Sequence, residues 1–154
     1  KVVRVPGVAV FMVGDPETTP PAMVHNVKHN RVLHEKVIVL TILTEEIPVV
    51  ENSRRLKFEV IRDRFYRVEA HYGFMESPDV IDLMGLIKET GLNFEIPDIT
   101  FFVGRETLVA SERPGMAIWR EHLFAFMAQN AHRATQFFNI PADQVIEVGM
   151  QVEL

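Results

Sequence analysis

Two apolar runs constrain this chain more than anything else in it. Gly7 to Val13 and Val37 to Leu43 are each long enough for a strand, and neither shows a simple polar–apolar alternation. A strand that is apolar on both faces must be covered on both, as in the middle of a sheet with helices packed on it. Between the runs, Gly14-Asp15-Pro16 ends the first. Thr19 then offers an N-cap and Pro20 suits the first helical position, with a helix expected to about Arg31. Met23, Val24 and Val27 are expected to centre its buried face. Strand, helix and strand of this kind predict a right-handed βαβ unit with a parallel pair.

The pattern then changes to alternation. Leu56, Phe58 and Val60 share one face, with Lys57 and Glu59 on the other. After Asp63-Arg64, Tyr66, Val68, Ala70 and Tyr72 share a face opposite Arg67, Glu69 and His71. This predicts a β-hairpin with one wet face. Ser77-Pro78-Asp79 predicts a helix start, with Ser77 as cap and Pro78 in the first position. Val80, Leu83, Met84 and Ile87 recur at helical spacing, and Gly91 suits the stop.

Ile99 to Val103 is a further strand, turned by Gly104-Arg105, with Thr107 to Val109 placed to pair back. Met116 to Ala131 predicts the longest helix, with Met116, Trp119, Leu123, Phe126 and Met127 on one stripe. A short turn from Ala134 to Phe138 precedes Pro141. The last strand places Ile146, Val148, Met150, Val152 and Leu154 on one face. The expectation is one α/β domain over residues 1–154, a sandwich with a mixed β-sheet flanked by helices.

Composition narrows the function classes. With 47% hydrophobic and 24% charged residues among 154, the chain is globular rather than disordered. It has no Cys, so disulfide scaffolds and thiolate-ligated metals are excluded. Asp and Glu outnumber Lys and Arg by 21 to 16, the wrong sign for a phosphate backbone, so no nucleic-acid partner is expected. No apolar stretch approaches the roughly 18 residues that cross a bilayer as a helix. No charged leader precedes a long apolar stretch, so no signal peptide is expected. The chain starts at Lys1 rather than Met, which suggests a fragment.

Candidate chemistry is thin. His25 and His29 are four apart and could share a metal, as in a metal-dependent hydrolase. Asn26 follows His25, so the Glu of an HExxH motif is missing, and His34 lies beyond the helix. A polar outer face explains the pair better. His71, His122 and His132 are scattered. Ser53, Ser77 and Ser111 sit in no GxSxG turn, which argues against acyl transfer. The loop Gly14 to Thr19 leads into a helix N-terminus but lacks a phosphate-binding glycine pattern, and Asp15 and Glu17 would repel a phosphate. Arg54, Arg55, Arg62, Arg64 and Arg67 cluster at the hairpin and could meet an anionic ligand or headgroup. A solvated edge face is the plainer reading. Trp119, Phe124, Phe126 and Met127 read as core rather than a cofactor box. Ile118 lies off that stripe and would fit a dimer or domain contact. No catalytic, cofactor-binding or metal residue is therefore assigned, and no enzyme activity or cofactor is expected.

Several segments together carry a more specific signal: Arg4–Phe11, Pro20–Glu35, Tyr66–Glu76, Thr100–Leu108, Ile140–Pro141 and Val145–Leu154. The HNxKHNxVLHE stretch at His25–Glu35 is the most distinctive. Read in order they cover essentially the whole chain, which resembles the hydrophilic C-terminal part of the Kup/HAK/KT family of potassium uptake proteins. The resemblance implies a parent that spans the membrane many times and imports K⁺ with H⁺. It implies that this domain lies on the cytoplasmic side of the cell inner membrane as a regulatory or assembly module. Its partner would be its own transmembrane domain, and potassium and protons would be substrates of that part alone. A homodimer is also expected, since most soluble oligomers are two-fold. The alternative reading is a sensor of a small anionic ligand, such as an adenine nucleotide or a cyclic dinucleotide, by analogy with regulated importers.

Overall fold

The computed structural model describes residues 1–104 and 138–148. The first apolar run belongs to β1 (Val3–Met12) and the second to β2 (Val32–Glu45). The two pair in parallel, from Val8 opposite Lys36 to Met12 opposite Leu40. Every residue from Val8 to Val13 is buried, as lack of alternation demands. The connection between them is α1 (Pro21–His25) followed by a π-helical turn over Asn26–Asn30. Then come α2 (Asn52–Arg55), β3 (Leu56–Arg62), β4 (Phe65–Gly73), α3 (Val80–Glu89) and β5 (Ile99–Gly104). β6 is Val145–Val148.

The six strands lie in the order β3-β4-β2-β1-β5-β6. The β3–β4 pair is antiparallel and the other described pairs are parallel, so the sheet is mixed and the α/β class expected from the sequence holds. β1 bulges between Val5 and Val8. Gly7 takes φ +102° there, and any side chain would collide with the Asp98 carbonyl.

Each sheet face carries its own core. On one, Val10, Ile38, Leu40, Val68 and Phe101 meet Val80, Leu83, Met84 and Ile87 of α3. These are the four positions that helical spacing singles out. On the other, Ala9, Phe11, Val37 and Phe102 meet Ala22 of α1. Phe11 and Phe102 stack there at 4.6 Å.

Four local expectations are corrected. Pro20, not Thr19, holds the N-cap position of α1, and Pro21 is the first helical residue. Val24 is exposed, because the helix makes little more than one turn before the π-helical segment resets its phase, and Ala22 carries the burial instead. Asp79, not Ser77, caps α3: its Oδ1 accepts from the Ile81 and Asp82 N–H groups at 2.9 and 3.1 Å. The hairpin's polar face is exposed on β3 and only partly so on β4, at Arg67 and His71. Glu69 on β4 is buried, because β4 has β2 as a second neighbour whereas β3 is an outer strand of the sheet. Gly91 does end α3, with φ +107° just after the Thr90 C-cap.

Met116 to Ala131, Thr107 to Val109, Ala134 to Phe137 and Met150 to Leu154 lie outside the described residues. His122, His132, Ser111, Ile118 and the Trp119 stripe lie there too.

The cap assignment has a direct test. Asp79→Ala is expected to cost about 1 kcal/mol or more in urea unfolding, since Asp79 also accepts from Asn139. Ser77→Ala is expected to change little.

Candidate functional site

In parallel α/β sheets the loops beyond the carboxyl ends of the strands form the crevices that bind ligands and partners. Here β2 and β4 end side by side, with Glu45 opposite Gly73. Their outgoing loops are hydrogen-bonded to each other. The Phe74 N–H donates to the Ile47 carbonyl at 2.9 Å and the Met75 N–H to the Pro48 carbonyl at 3.1 Å. Gly73 permits this approach, since any Cβ would land on the Pro48 carbonyl. The joined loops expose Ile47, Val49, Phe74 and Met75 together.

Beneath them lies Arg55, the last residue of α2, buried and pointing into the sheet edge. Its guanidinium donates to Glu76 Oε1 at 2.8 Å and Oε2 at 3.3 Å, the bidentate geometry suited to a carboxylate. It also donates to the carbonyls of Val50 at 2.7 Å and His71 at 3.1 Å, and Nε donates to Asn52 Oδ1 at 3.0 Å. Every guanidinium N–H is thus used. The cation sits 4.2 Å over the Tyr72 ring. Glu76 in turn accepts from the Gly73 N–H at 2.6 Å and the Val50 N–H at 3.0 Å. One ion pair therefore ties α2, the end of β4 and both loops.

Burial pushes the Glu76 carboxyl up. Hydrogen bonds from Arg55, Gly73 and Val50, with the Arg55 charge, overcome it and hold the group at about 2. Burial pushes the Tyr72 hydroxyl up to about 12; Arg55 opposes this and Glu76, Asp79 and Asp82 add to it. Tyr72 therefore stays protonated at neutral pH.

Two cavities flank the ion pair. One of about 530 Å³ is lined by Arg55, Tyr72, Asp79, Asp82, Leu86 and Glu89, among others. The second, of about 290 Å³, is lined by Glu45, Ile47, Val50, Arg54 and His71. His71 Nδ1 lies 2.5 Å from Glu45 Oε1.

The residues singled out in the sequence are scattered over the fold. The His25 and His29 rings stack at 5.3 Å on an exposed face. Among the described residues no group of three or more His, Asp or Glu is arranged for a metal. His34 is partly buried, and burial lowers its pKa. In the Gly14 to Thr19 loop the Asp15 carboxylate accepts from the Glu17 N–H, so the loop turns on its own side chain. Ser53 is exposed on α2, next to Arg54.

The arginine cluster divides. Arg54, Arg62 and Arg64 are exposed, and Arg67 pairs with Glu59 at 3.5 Å. Arg55 overturns the reading of a uniformly solvated face. Its one available signal was position: it directly precedes the alternating strand. Nothing in the sequence pointed to Glu76, 21 residues on, as its partner.

Removing one member of a buried pair strands the other, so Arg55→Met is expected to lose about 3–5 kcal/mol of stability by chemical denaturation. The pH dependence follows from Glu76. A carboxyl held below its ordinary value stabilises fully above about 4.5, and that contribution fades as pH falls toward about 2. In Glu76→Gln the part of the acid transition due to this group should vanish.

Comparison with known proteins agrees with this reach of sequence. The family model described as "K+ potassium transporter C-terminal domain" matches residues 6–154. The "Probable potassium transport system protein Kup" of Myxococcus xanthus is 55% identical over 152 residues, covering 99% of this chain and 23% of that protein. "Probable potassium transport system protein Kup 1" of Paramagnetospirillum magneticum is 50% identical over 153 residues, and the Kup protein of Acidiphilium cryptum 46% over 154. Each is covered over 24% of its own length. The chain thus spans about a quarter of these relatives. No solved structure matches it. Among the described residues no helix is long and apolar enough to cross a membrane. With nearly the whole chain matched by one family model, the chain belongs to the C-terminal domain family of the K⁺ potassium transporters.

Proposed function

We propose that this chain is one domain, the cytoplasmic regulatory or assembly module of a potassium uptake permease. The membrane-embedded remainder would carry out K⁺/H⁺ symport, and the module would perform no catalysis. The observation that carries this reading is the 55% identity to a potassium transport protein across 99% of the chain, at only 23% of that protein's length. The site geometry supports it from a second direction. The groups best placed for chemistry are committed to holding loops: Arg55 has no N–H left, Glu76 is fully engaged, and Tyr72 keeps its proton. What they hold in place is an apolar knuckle of Ile47, Val49, Phe74 and Met75, which suits contact rather than turnover.

A second reading, sensing of a small anionic ligand, draws on the 290 Å³ cavity. There the Arg54 guanidinium makes no ion pair among the described residues and faces the same space as His71. A ligand that binds only the folded chain must raise its melting temperature. No shift with adenine nucleotides or cyclic dinucleotides at millimolar concentration would remove this reading.

The permease reading is tested in cells that lack potassium uptake. Growth at low K⁺ is expected to return with a full-length relative and not with the 154-residue chain. Rescue by the chain alone would overturn the proposal.

A further inference from the structure

The 21 acidic residues of this chain are unevenly placed: none falls in residues 1–14 or 18–34, which carry Lys1, Arg4, Lys28 and Arg31. The fold gathers these four cations in one place. Among the described strands, β1 and β2 pair from Val3 opposite Val32, whereas β5 joins β1 only at Val8 and β4 joins β2 only at Val37. The first five residues of the β1–β2 pair therefore project by about 16 Å beyond the amino end of the sheet. We infer that this projecting tip is a docking surface for anionic lipid headgroups. The inference rests on the permease reading, in which the membrane-embedded part precedes residue 1.

Local structure fixes the cations there. The π-helical turn over Asn26–Asn30 is tied to β2 by its own side chains. Asn30 Nδ2 donates to Asn26 Oδ1 at 2.9 Å, and Asn26 Nδ2 donates to the Val32 carbonyl at 3.0 Å. Arg31 closes the turn in the left-handed region, with φ 56°, and its carbonyl accepts from the Val3 N–H at 2.8 Å. Arg4 is held across the pair by a bond to the His34 carbonyl at 2.7 Å. Lys1, Arg4, Lys28 and Arg31 are all exposed, and none makes an ion pair among the described residues. Beside them Val2 and Val3 are 40% and 57% exposed. The distinctive stretch His25–Glu35 thus shapes the tip: its asparagines hold the turn that presents Lys28 and Arg31.

Unpaired cations beside exposed valines match a bilayer surface, where headgroup phosphates lie above acyl chains. A leaflet rich in anionic lipid attracts basic clusters of this size when they lie within a screening length of it. The chain as a whole carries a net charge of −5 and would be repelled, so orientation decides the outcome. The carboxyl end of β1 lies about 30 Å from the tip, several screening lengths at physiological salt. A bilayer that meets the tip therefore feels its four cations and little of the acidic far end. A soluble anion is a poorer match. The cations stand on a projection, and neither cavity beside the Arg55–Glu76 pair includes a tip residue.

The test is co-sedimentation of the 154-residue chain with vesicles of phosphatidylcholine alone and of an equal mixture with phosphatidylglycerol. Binding to the mixed vesicles only is expected, and it should weaken as salt rises. Lys28→Gln and Arg31→Gln should each weaken it about fivefold. Lys57→Gln removes the same charge at a residue that registers, through Glu69, with Thr41, far along β2 from Val32, and should leave binding unchanged. Amide exchange gives a readout free of substitutions: protection at residues 28–32 should rise with the mixed vesicles. No binding, equal binding to neutral vesicles, or an equal loss in Lys57→Gln would each overturn the inference. So would displacement by millimolar inorganic phosphate, which would mark a site for a soluble anion. Binding only to vesicles that hold a full-length relative, whatever their lipid, would mark a protein contact and overturn it too. Growth at low K⁺ does not read vesicle binding, so a failure here is told apart from a failure of the permease reading.

Discussion

A buried guanidinium has to be neutralised where it lies, and much of the structure at the carboxyl ends of β2 and β4 follows from how Arg55 meets that demand. Glu76 supplies the charge, and the carbonyls of Val50 and His71 with Asn52 supply the remaining acceptors. Because these groups belong to different segments, satisfying one side chain brings those segments together. A lysine could not do the same, since a compact ammonium lacks the planar fork that reaches a carboxylate and several carbonyls at once. The stacking of Arg55 on Tyr72 places an aromatic face against the charge and covers one side of the guanidinium.

How much of this could be read from residues depended on the range of each interaction. The two parallel strands were legible because burial on both faces leaves a local mark, an uninterrupted apolar run. The hairpin was legible from period-two alternation, and the buried stripe of α3 from its spacing. Interactions set by distant partners left no such mark. Arg55 looks like its exposed neighbour Arg54 until Glu76 is brought beside it. Glu69 looks as wet as Glu59 until β2 packs along the far side of β4. Ser77 and Asp79 are both capping residue types, and only the path of the chain decides between them. Val24 falls on the expected buried face only if a regular helix runs to about Arg31, whereas the backbone widens to a π turn over Asn26–Asn30. The candidate site was the least legible feature, since its main ion pair joins residues 21 apart across two loops.

The division of labour among polar groups bears on function. Sites built for proton or group transfer need a side chain with a donor or acceptor left over and a pKa near the working pH. At this carboxyl end, burial and hydrogen bonding act in the other direction. Glu76 is kept ionised and Tyr72 is kept neutral across the physiological range. Such groups define shape. The apolar side chains above them gain a fixed arrangement, and loss of side-chain and loop freedom on binding is a large part of what association costs.

The ion pair and the open edge of the sheet are linked by a single peptide bond. Arg55 ends α2 and Leu56 begins β3. Since the guanidinium is anchored to the His71 carbonyl on β4, the point at which β3 enters the sheet is held from its first residue. Leu56 then pairs with Ala70, and Lys57 with Glu69, in sequence along the strand. A slip of one residue would turn Leu56 and Phe58 to the polar face and carry Lys57 and Glu59 onto the core. The alternation of charge along the edge therefore depends on a contact outside the strand. The surface that this edge presents is set by a side chain buried beneath the loops.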